Sequence, residues 1–274
     1  MKNYALDKII CQVRQRKLAG SQNENYDFDL CYHKIIWYSD SIFRVKNYEF
    51  PIVYNFKGSG GRQSTKYKNV FGGDEVFSEI IRKKTEYKIR KTVYELANCN
   101  FNQNSRFVSL VPAENITEVQ EANKYFRDFI QRMKYKFGDF DYLAVIEFQK
   151  LHREAVHYHV LWNLDYVKQE KILKIWGDGK GSVYTNKIYH VDNLGAYLLR
   201  CMGKSVGDPR LFGNKAYLYS KGLKRAKVQN LNNDAFKEFV KKYDLENRKP
   251  AYKIKGYQTE NYGWVEEMEY NLKR

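Results

Sequence analysis

Cysteines are few in this chain of 274 residues, and the four present, at positions 11, 31, 99 and 201, form no C-x-x-C pair. This spacing indicates neither a disulfide framework nor a zinc ribbon. Long apolar runs are also missing, because no stretch approaches the ~20 residues that a membrane-spanning helix needs. The first residues lack the uninterrupted apolar core of a signal peptide. We therefore expect a cytoplasmic protein with no membrane partner.

Two common catalytic motifs are absent as well. No G-x-x-x-x-G-K-[ST] sequence occurs, even at Gly203-Lys204-Ser205, where the upstream glycine is missing, so a phosphate-binding loop is not predicted. No H-E-x-x-H helix occurs either, which disfavours a zinc hydrolase. What the chain has in excess is positive charge and aromatic side chains: its net charge is +16, with 24 tyrosines and 16 phenylalanines. Most tyrosines are expected in the core, but basic and aromatic surfaces together are typical of single-strand binding.

The clearest pattern lies between Tyr142 and Asn163. Two runs rich in β-branched and aromatic residues flank the polar sequence K-L-H-R-E-A, which predicts a β-hairpin. Because strand side chains alternate between faces, His157 and His159 should project together. Glu147 is the one acidic residue of the facing strand, where burial without a counter-charge would be costly.

A divalent cation held by Glu147, His157 and His159 would remove that cost. Mixed nitrogen and oxygen ligands suit Mn²⁺, Zn²⁺ or, less well, Mg²⁺. The alternative is that both histidines are neutral core residues and that the carboxylate pairs with a lysine. The sequence therefore predicts a metal site at this hairpin, with an ordinary core as the competing interpretation.

The rest of the chain alternates single strands with helices. Strands are predicted at Arg106–Val111 and Ser182–Val191, with helices that begin at a Thr117 capping box and at Asp165. This alternation is typical of an α+β fold, in which a central antiparallel β-sheet has helices packed on one face. We expect this domain to span residues 101–230.

Extensions are predicted on both sides of that domain. Residues 1–100 are expected to form a basic and aromatic N-terminal region with an amphipathic helix at Leu6–Leu18, and residues 231–274 a helix and two strands. A second helix, from Asp74 to Asn98, has a basic face formed by Arg82, Lys83, Lys84, Lys88, Arg90 and Lys91. Charge pattern alone leaves open whether this face contacts phosphates or is simply solvated.

Several short motifs together resemble those of a known family. R-F-V-S-L-V, V-I-E-F-Q, H-Y-H, G-A-Y-L-L-R and Y-S-K-G-L-K-R occur in that order between Arg82 and Arg225. This order resembles the HUH endonucleases, specifically the rolling-circle replication initiators (Rep proteins) of bacterial plasmids and phages. The resemblance implies an HUH- or RRM-like palm and a nucleophilic tyrosine at Tyr197.

The resemblance also implies an activity and partners. Such a protein nicks one strand of single-stranded or hairpin origin DNA with Mn²⁺ or Mg²⁺, leaves a 5′-phosphotyrosyl link and a free 3′-hydroxyl, and later rejoins the ends. Host helicase and polymerase would be partners, and an oligomer at the origin is left open. Arg200 and Lys204 are expected to hold phosphate or to favour the phenolate.

This chain departs from the usual family pattern at several places, including the turn between Glu147 and His157, which looks two residues longer than usual. Ser109-Leu110-Val111 stands where relatives usually have Thr-Leu-Thr, and Arg200 replaces a lysine. Cys201 occupies a position that is commonly a second tyrosine, which predicts one nucleophile per subunit. An HUH transposase, a relaxase and a nonenzymatic module that binds single-stranded nucleic acid remain as alternatives.

Overall fold

The computed structural model describes residues 29–54, 74–149, 154–188, 193–203, 205–259 and 261–273. The predicted helix at Leu6–Leu18 and the expected site residue Lys204 lie outside the described residues. The chain divides into two compact units, one formed by residues 71–226 and the other by residues 1–70 with 227–274. The domain boundaries predicted from the sequence, 1–100, 101–230 and 231–274, stay a prediction.

The described strands are β1 (Asp29–Trp37), β2 (Ile42–Tyr54), β3 (Arg106–Val111), β4 (Tyr142–Phe148), β5 (Val156–Trp162), β6 (Ser182–Lys187), β7 (Tyr217–Tyr219), β8 (Lys227–Leu231), β9 (Tyr252–Thr259) and β10 (Gly263–Asn271). The described helices are α1 (Asp74–Asn100), α2 (Val119–Phe137), α3 (Gln169–Gly177), α4 (Leu194–Met202) and α5 (Asn233–Lys242). No helix in this part of the chain is long and apolar enough to cross a bilayer.

The unit 71–226 is built on an antiparallel sheet with the strand order β6-β3-β5-β4-β7. Its centre is the predicted hairpin, in which β4 and β5 pair from Tyr142 opposite Trp162 to Phe148 opposite Val156. Strand β3 has the predicted bounds and pairs with β5 on the other side. The predicted α+β class and its antiparallel sheet are confirmed.

Helices cover both faces of this sheet. On one face, Phe126 of α2 stacks on Tyr158 of β5 with ring centroids 4.5 Å apart, and Trp176 of α3 packs beside them. On the other face, Tyr197 of α4 meets Phe107 of β3 edge to face. Helix α1 packs on α4. The sheet is therefore the middle layer of this unit.

Two helix starts differ from the sequence prediction. Helix α2 begins after Glu118, which has an extended backbone and no side-chain cap, so the Thr117 capping box does not form. Helix α3 begins after Lys168 rather than at Asp165. Val167 packs against the core, which keeps the chain out of the helix until that point. Helix α4 does have a side-chain cap, since the side chain of Asn193 accepts a hydrogen bond from the Ala196 N–H.

The second unit contains an antiparallel sheet with the order β8-β1-β2-β10-β9. Segments from the two ends of the chain thus share one sheet, although the sequence placed them in separate extensions. Helix α5 packs on this sheet around the buried rings of Phe43 and Tyr270. The sequence pattern did not predict strand β8, because K-V-Q-N-L is polar and lies next to a cluster of lysines.

A network of charges is buried in this second sheet. Glu267 of β10 is 4% exposed and contacts the Lys46 ammonium, one guanidinium nitrogen of Arg44 at 3.4 Å and the hydroxyl of Tyr257 at 2.6 Å. Burial alone would raise the pKa of this carboxyl, but the charge and hydrogen bond of Lys46, together with Tyr257 and Arg44, lower its pKa overall. The ionised carboxylate therefore stabilises the fold.

We expect Glu267→Gln to lower the free energy of unfolding by about 3 kcal/mol in a urea titration, because the charge pairing of the buried Glu267 with Lys46 and Arg44 is lost. Glu266→Gln is the matched control, since this neighbour faces the opposite side of the sheet and should change stability by less than about 0.5 kcal/mol. The folded pKa of Glu267 lies below its ordinary value of 4.5. The ionised Glu267 thus stabilises the protein above that pH, and this stabilisation is lost in stronger acid. There the wild-type protein and Glu267→Gln should have similar free energies of unfolding. Equal destabilisation by both variants would contradict this account.

Candidate active site

Strand register brings the predicted side chains to one face of the central sheet. Glu147 lies directly opposite His157 across the hairpin, and His159 follows two residues later on the same face. On the other side of β5, Ser109 of β3 lies opposite His159. The predicted common face for the two imidazoles and the carboxylate is therefore observed.

The ring of His159 is held on three sides. Its Nε2 lies 2.6 Å from Oε2 of Glu147, its Nδ1 lies 3.0 Å from Oγ of Ser109, and its plane stacks on Phe107 with centroids 5.6 Å apart. In the tautomer of His159 that carries its hydrogen on Nε2, the ring donates to Glu147 and accepts at Nδ1 from the serine hydroxyl. Ser109, which the sequence marked only as a departure from the family, thus orients the imidazole.

His157 is in a different environment. Its Nε2 is buried and has no hydrogen-bond partner among the described residues. Burial lowers the pKa of this imidazole, the neighbouring His159 lowers it further, and Glu147 opposes both effects only in part. His157 is therefore neutral near neutral pH, with an unsatisfied polar nitrogen next to a carboxylate.

These residues fit a divalent cation in donor chemistry, although they are not assembled around one. Within the described ranges, no group of three His, Cys, Asp or Glu side chains is arranged as a ligand set, because Glu147 and His159 bond directly to each other. The orphaned Nε2 of His157 is the observation that a cation would explain, since a buried polar atom without a partner is costly. Two imidazole nitrogens and one carboxylate are ligands that Mn²⁺ and Zn²⁺ accept.

Tyr197 reaches this site through Phe107. The tyrosine is half-buried on α4, and its ring meets that of Phe107 edge to face with centroids 4.9 Å apart. Burial raises the pKa of the Tyr197 hydroxyl, Cys201 raises it further, and the guanidinium of Arg200, 5.8 Å from the ring centroid, lowers it. A continuous path of ring contacts therefore runs from Tyr197 through Phe107 to His159.

The next turn of α4 contains Arg200 and Cys201, two positions that the sequence analysis singled out. Arg200 is exposed, with its charge beside the Tyr197 ring. Cys201 is half-buried, and its pKa is raised to about 11 by burial and by the charge of Glu147, against a smaller effect of Arg200. Its thiol is therefore protonated at neutral pH and faces the carboxylate of the hairpin, where the resemblance led us to look for a second tyrosine.

Helix α1 holds both ends of α4, and the sequence did not predict this contact. At the N-terminal end, Asn98 accepts a hydrogen bond from the Gly195 N–H at 3.0 Å and donates to Asn193 at 3.2 Å. At the other end, the guanidinium of Arg90 donates to the Gly203 carbonyl at 2.9 Å. An asparagine among the apolar residues of α1 was the signal that could have indicated this contact. Arg90 is thus a structural residue rather than a free basic side chain.

Gly195 is required by the close approach of the two helices. A Cβ atom at this position would lie 2.6 Å from the side-chain nitrogen of Asn98 and 2.7 Å from the backbone oxygen of Tyr94. Real Cβ atoms do not approach backbone oxygen this closely, so any larger residue must push α4 away from α1. The glycine of G-A-Y-L-L-R therefore sets the position of the tyrosine two residues later.

Comparison with known proteins matches the same part of the chain. Residues 105–206 match a family of replication-associated proteins, the one described by the name ORF2. The predicted resemblance to Rep proteins is confirmed over this segment. The Rep-like segment includes the hairpin, Ser109 and the whole of α4, so it contains every described candidate residue. No curated protein and no solved structure matches the chain.

We expect Gly195→Ala to destabilise the protein by about 1–3 kcal/mol, because an added methyl group overpacks the contact between α1 and α4. Ala196→Ser is the matched control: it adds one atom at the adjacent, exposed position of the same helix. Thermal unfolding of both variants measures the effect. If Gly195→Ala unfolds at the same temperature as the control, the helices are not in the close contact described here.

Proposed function

We propose that this protein is a replication initiator that nicks one strand of origin DNA by transesterification at Tyr197. The observation that supports this proposal is the path of ring contacts from Tyr197 through Phe107 to the Glu147, His157 and His159 face, within a segment that matches replication-associated proteins. A nucleophile and a set of cation ligands on one face are what phosphodiester cleavage requires.

In the proposed reaction, the Tyr197 oxygen attacks a backbone phosphorus atom. The phenolic O–H bond and the P–O3′ bond break, and a tyrosyl O–P bond and a 3′-hydroxyl form. The proton lost by Tyr197 thus balances the proton that the departing 3′-oxygen takes up, with solvent as the carrier. One ester replaces another, so the same reaction in reverse rejoins the strand without a nucleotide cofactor. Arg200 favours the phenolate, because its positive charge lowers the pKa that burial raises.

Glu147, His157 and His159 would hold the divalent cation, Mn²⁺ or Mg²⁺. When bound, such a cation polarises the phosphate and offsets the negative charge that develops during attack. Ser109 fixes the His159 ring, and Phe107 supports both this ring and that of Tyr197. Lys204 follows the C-terminal end of α4 in sequence, and we propose that it binds phosphate.

The proposed partner is single-stranded or hairpin origin DNA, and host helicase and polymerase would act at the nick. Helix α1 offers an exposed row of basic residues for the backbone phosphates: Arg82, Lys83, Lys84, Lys88 and Lys91. Phosphate contacts of this kind supply most of the nonspecific affinity for nucleic acid. We place this activity in the cytoplasm, with one nucleophile per subunit.

A nonenzymatic module that binds single-stranded nucleic acid is the second candidate. It is favoured by the direct hydrogen bond between Glu147 and His159, because the two side chains already satisfy each other without a cation. The two candidates differ in one product, a covalent bond between protein and DNA. That product decides between them.

We expect Tyr197→Phe to eliminate the covalent adduct with a labelled circular single strand in Mn²⁺, while single-strand affinity changes by less than about twofold. The ring that packs on Phe107 is kept, so thermal stability should hardly change. Cys201→Ser is the control and should retain the adduct, since the serine replaces a protonated thiol on the same helix. Peptide mapping that finds DNA attached to another tyrosine would refute the assignment, and no adduct in any metal would favour the binding module.

We expect His157→Ala to abolish both nicking and tight Mn²⁺ binding, the latter measured by calorimetry on the purified protein. His33→Ala is a suitable control, because this histidine is in the other sheet and bonds to Asn47 and Asn233. Cleavage by the wild-type protein in excess chelator, or unchanged Mn²⁺ binding in His157→Ala, would show that these side chains hold no cation.

We expect the triple variant Lys84→Gln, Lys88→Gln, Lys91→Gln to flatten the salt dependence of single-strand affinity by roughly 0.7 in log–log slope for each phosphate that is no longer neutralised. All three lysines are exposed on α1, and none is needed for its contact with α4. Neutralising Lys237, Lys241 and Lys242 on α5 gives a control of equal charge change. If both triple variants show the same slope, the basic face of α1 is only solvated.

A further inference from the structure

A pocket opens on the face of the central sheet opposite the candidate active site. It is lined by Arg106, Trp162, Asp165, Tyr166, Val167, Ile172, Thr185 and Asn186. The pocket is open to solvent beside the ring of Tyr166, so a ligand here would stack on that ring and place only its edge against the polar side chains.

The floor of this pocket contains an unsatisfied donor. Arg106 begins β3 and lies opposite Trp162 of β5, three residues before Ser109 and hence on the other face of the sheet. Its Nε is buried and has no hydrogen-bond partner among the described residues. Burying such a donor without a partner is costly, so a ligand that accepts hydrogen bonds here would remove that cost.

An exposed aromatic ring stands over this guanidinium. Tyr166 is 66% exposed, and the Arg106 guanidinium lies 5.5 Å from the centroid of its ring. Tyr166 follows Asp165, whose carboxylate is also exposed at the pocket. Large exposed rings are costly in water, and next to an arginine they are typical of sites where a base stacks.

The polar groups of the pocket form a complementary set of donors and an acceptor. An arginine fork donates to O6 and N7 of guanine, whereas a carboxylate accepts from an exocyclic amino group such as N2 of guanine. Adenine offers N7 but no O6, and the pyrimidines lack both atoms in this arrangement. Arg106 and Asp165 together therefore favour guanine over the other bases.

Positive charge surrounds the opening of the pocket. Lys168 precedes α3, Lys171 is in its first turn, and Lys187 lies opposite Arg106 at the end of the edge strand β6. All three lysines are exposed. These side chains are suitably placed for the phosphates on either side of a bound nucleotide.

We propose that this pocket binds an unpaired guanine of single-stranded DNA, with Tyr166 stacked on the base, Arg106 donating to O6 and N7, and Asp165 accepting from N2. The proposal rests on the proposed function only in naming DNA as the source of the base. It gives the protein a base-reading site on the side of the sheet that does not face Tyr197.

The proposal is tested by fluorescence anisotropy of labelled nonamers without divalent metal, which separates it from the nicking reaction. The full-length protein should bind dT4-dG-dT4 more tightly than dT9, dT4-dA-dT4 or dT4-dC-dT4. Free dGMP should compete for the guanine nonamer more weakly than the unlabelled nonamer does. Arg106→Lys, which keeps the charge but removes the fork, should reduce the guanine preference roughly tenfold or more.

Substitutions at exposed aromatic residues test the binding site without disturbing the core of the protein. Tyr166→Ala should weaken binding of the guanine nonamer about fivefold or more, because the base no longer has a ring to stack on. Tyr135→Ala, at a ring that is 95% exposed on α2, is the matched control and should have no effect. Tyr197→Phe should keep the guanine preference even though it cannot form an adduct.

Other outcomes would overturn the proposal. Equal affinity for all four nonamers would show that the pocket does not read bases. Competition by inorganic phosphate as strong as that by dGMP would show a simple anion site. Competition by dGMP stronger than that by the nonamer would indicate a free guanine nucleotide as the ligand instead of a strand. A preference for guanine that survives in both Arg106→Lys and Tyr166→Ala would place the base recognition elsewhere.

Discussion

The antiparallel register between β4 and β5 is the constraint on which the rest of the unit 71–226 depends. Because side chains alternate along each strand, one register places Glu147, His157 and His159 on one face and Ile146 and Tyr158 on the other. A slip of one residue would bury the charged group against α2 and expose the aromatic core. Packing of the apolar side chains therefore fixes the strand register. That register in turn places the polar side chains next to each other.

Much of this arrangement follows from local sequence. The strongly patterned hairpin and the bounds of β3 depend on residues that are neighbours in the chain, and both agree with the structure. The predicted starts of α2 and α3 were wrong, because these helices begin after Glu118 and Lys168, and neither of these residues makes a side-chain cap. Strand β8 was not predicted because its residues are polar. It pairs with β1, which is distant in the sequence.

The candidate site also combines features that local sequence predicts with features that only the folded structure reveals. Alternation placed the two histidines and Glu147 together, but no pattern could reveal that Glu147 bonds to His159 rather than to its direct neighbour His157. The contacts of α1 with α4 join residues about one hundred positions apart, so they depend on the fold. Arg90 illustrates the consequence: in sequence it is one of many basic residues, whereas in the structure it supports the end of the helix that contains Tyr197.

The hydrogen bond between Ser109 and His159 determines how freely the imidazole can change its protonation pattern. In the tautomer that donates from Nε2 to Glu147, Nδ1 accepts a hydrogen bond from the serine hydroxyl. If a cation took the place of the Nε2 hydrogen, that hydrogen would move to Nδ1, and the same hydroxyl would only have to turn and accept it. A hydroxyl serves both tautomers, while an aliphatic side chain at this position would serve neither. Position 109 thus has a side chain that can hydrogen-bond to His159 in either tautomer while the ring keeps its position.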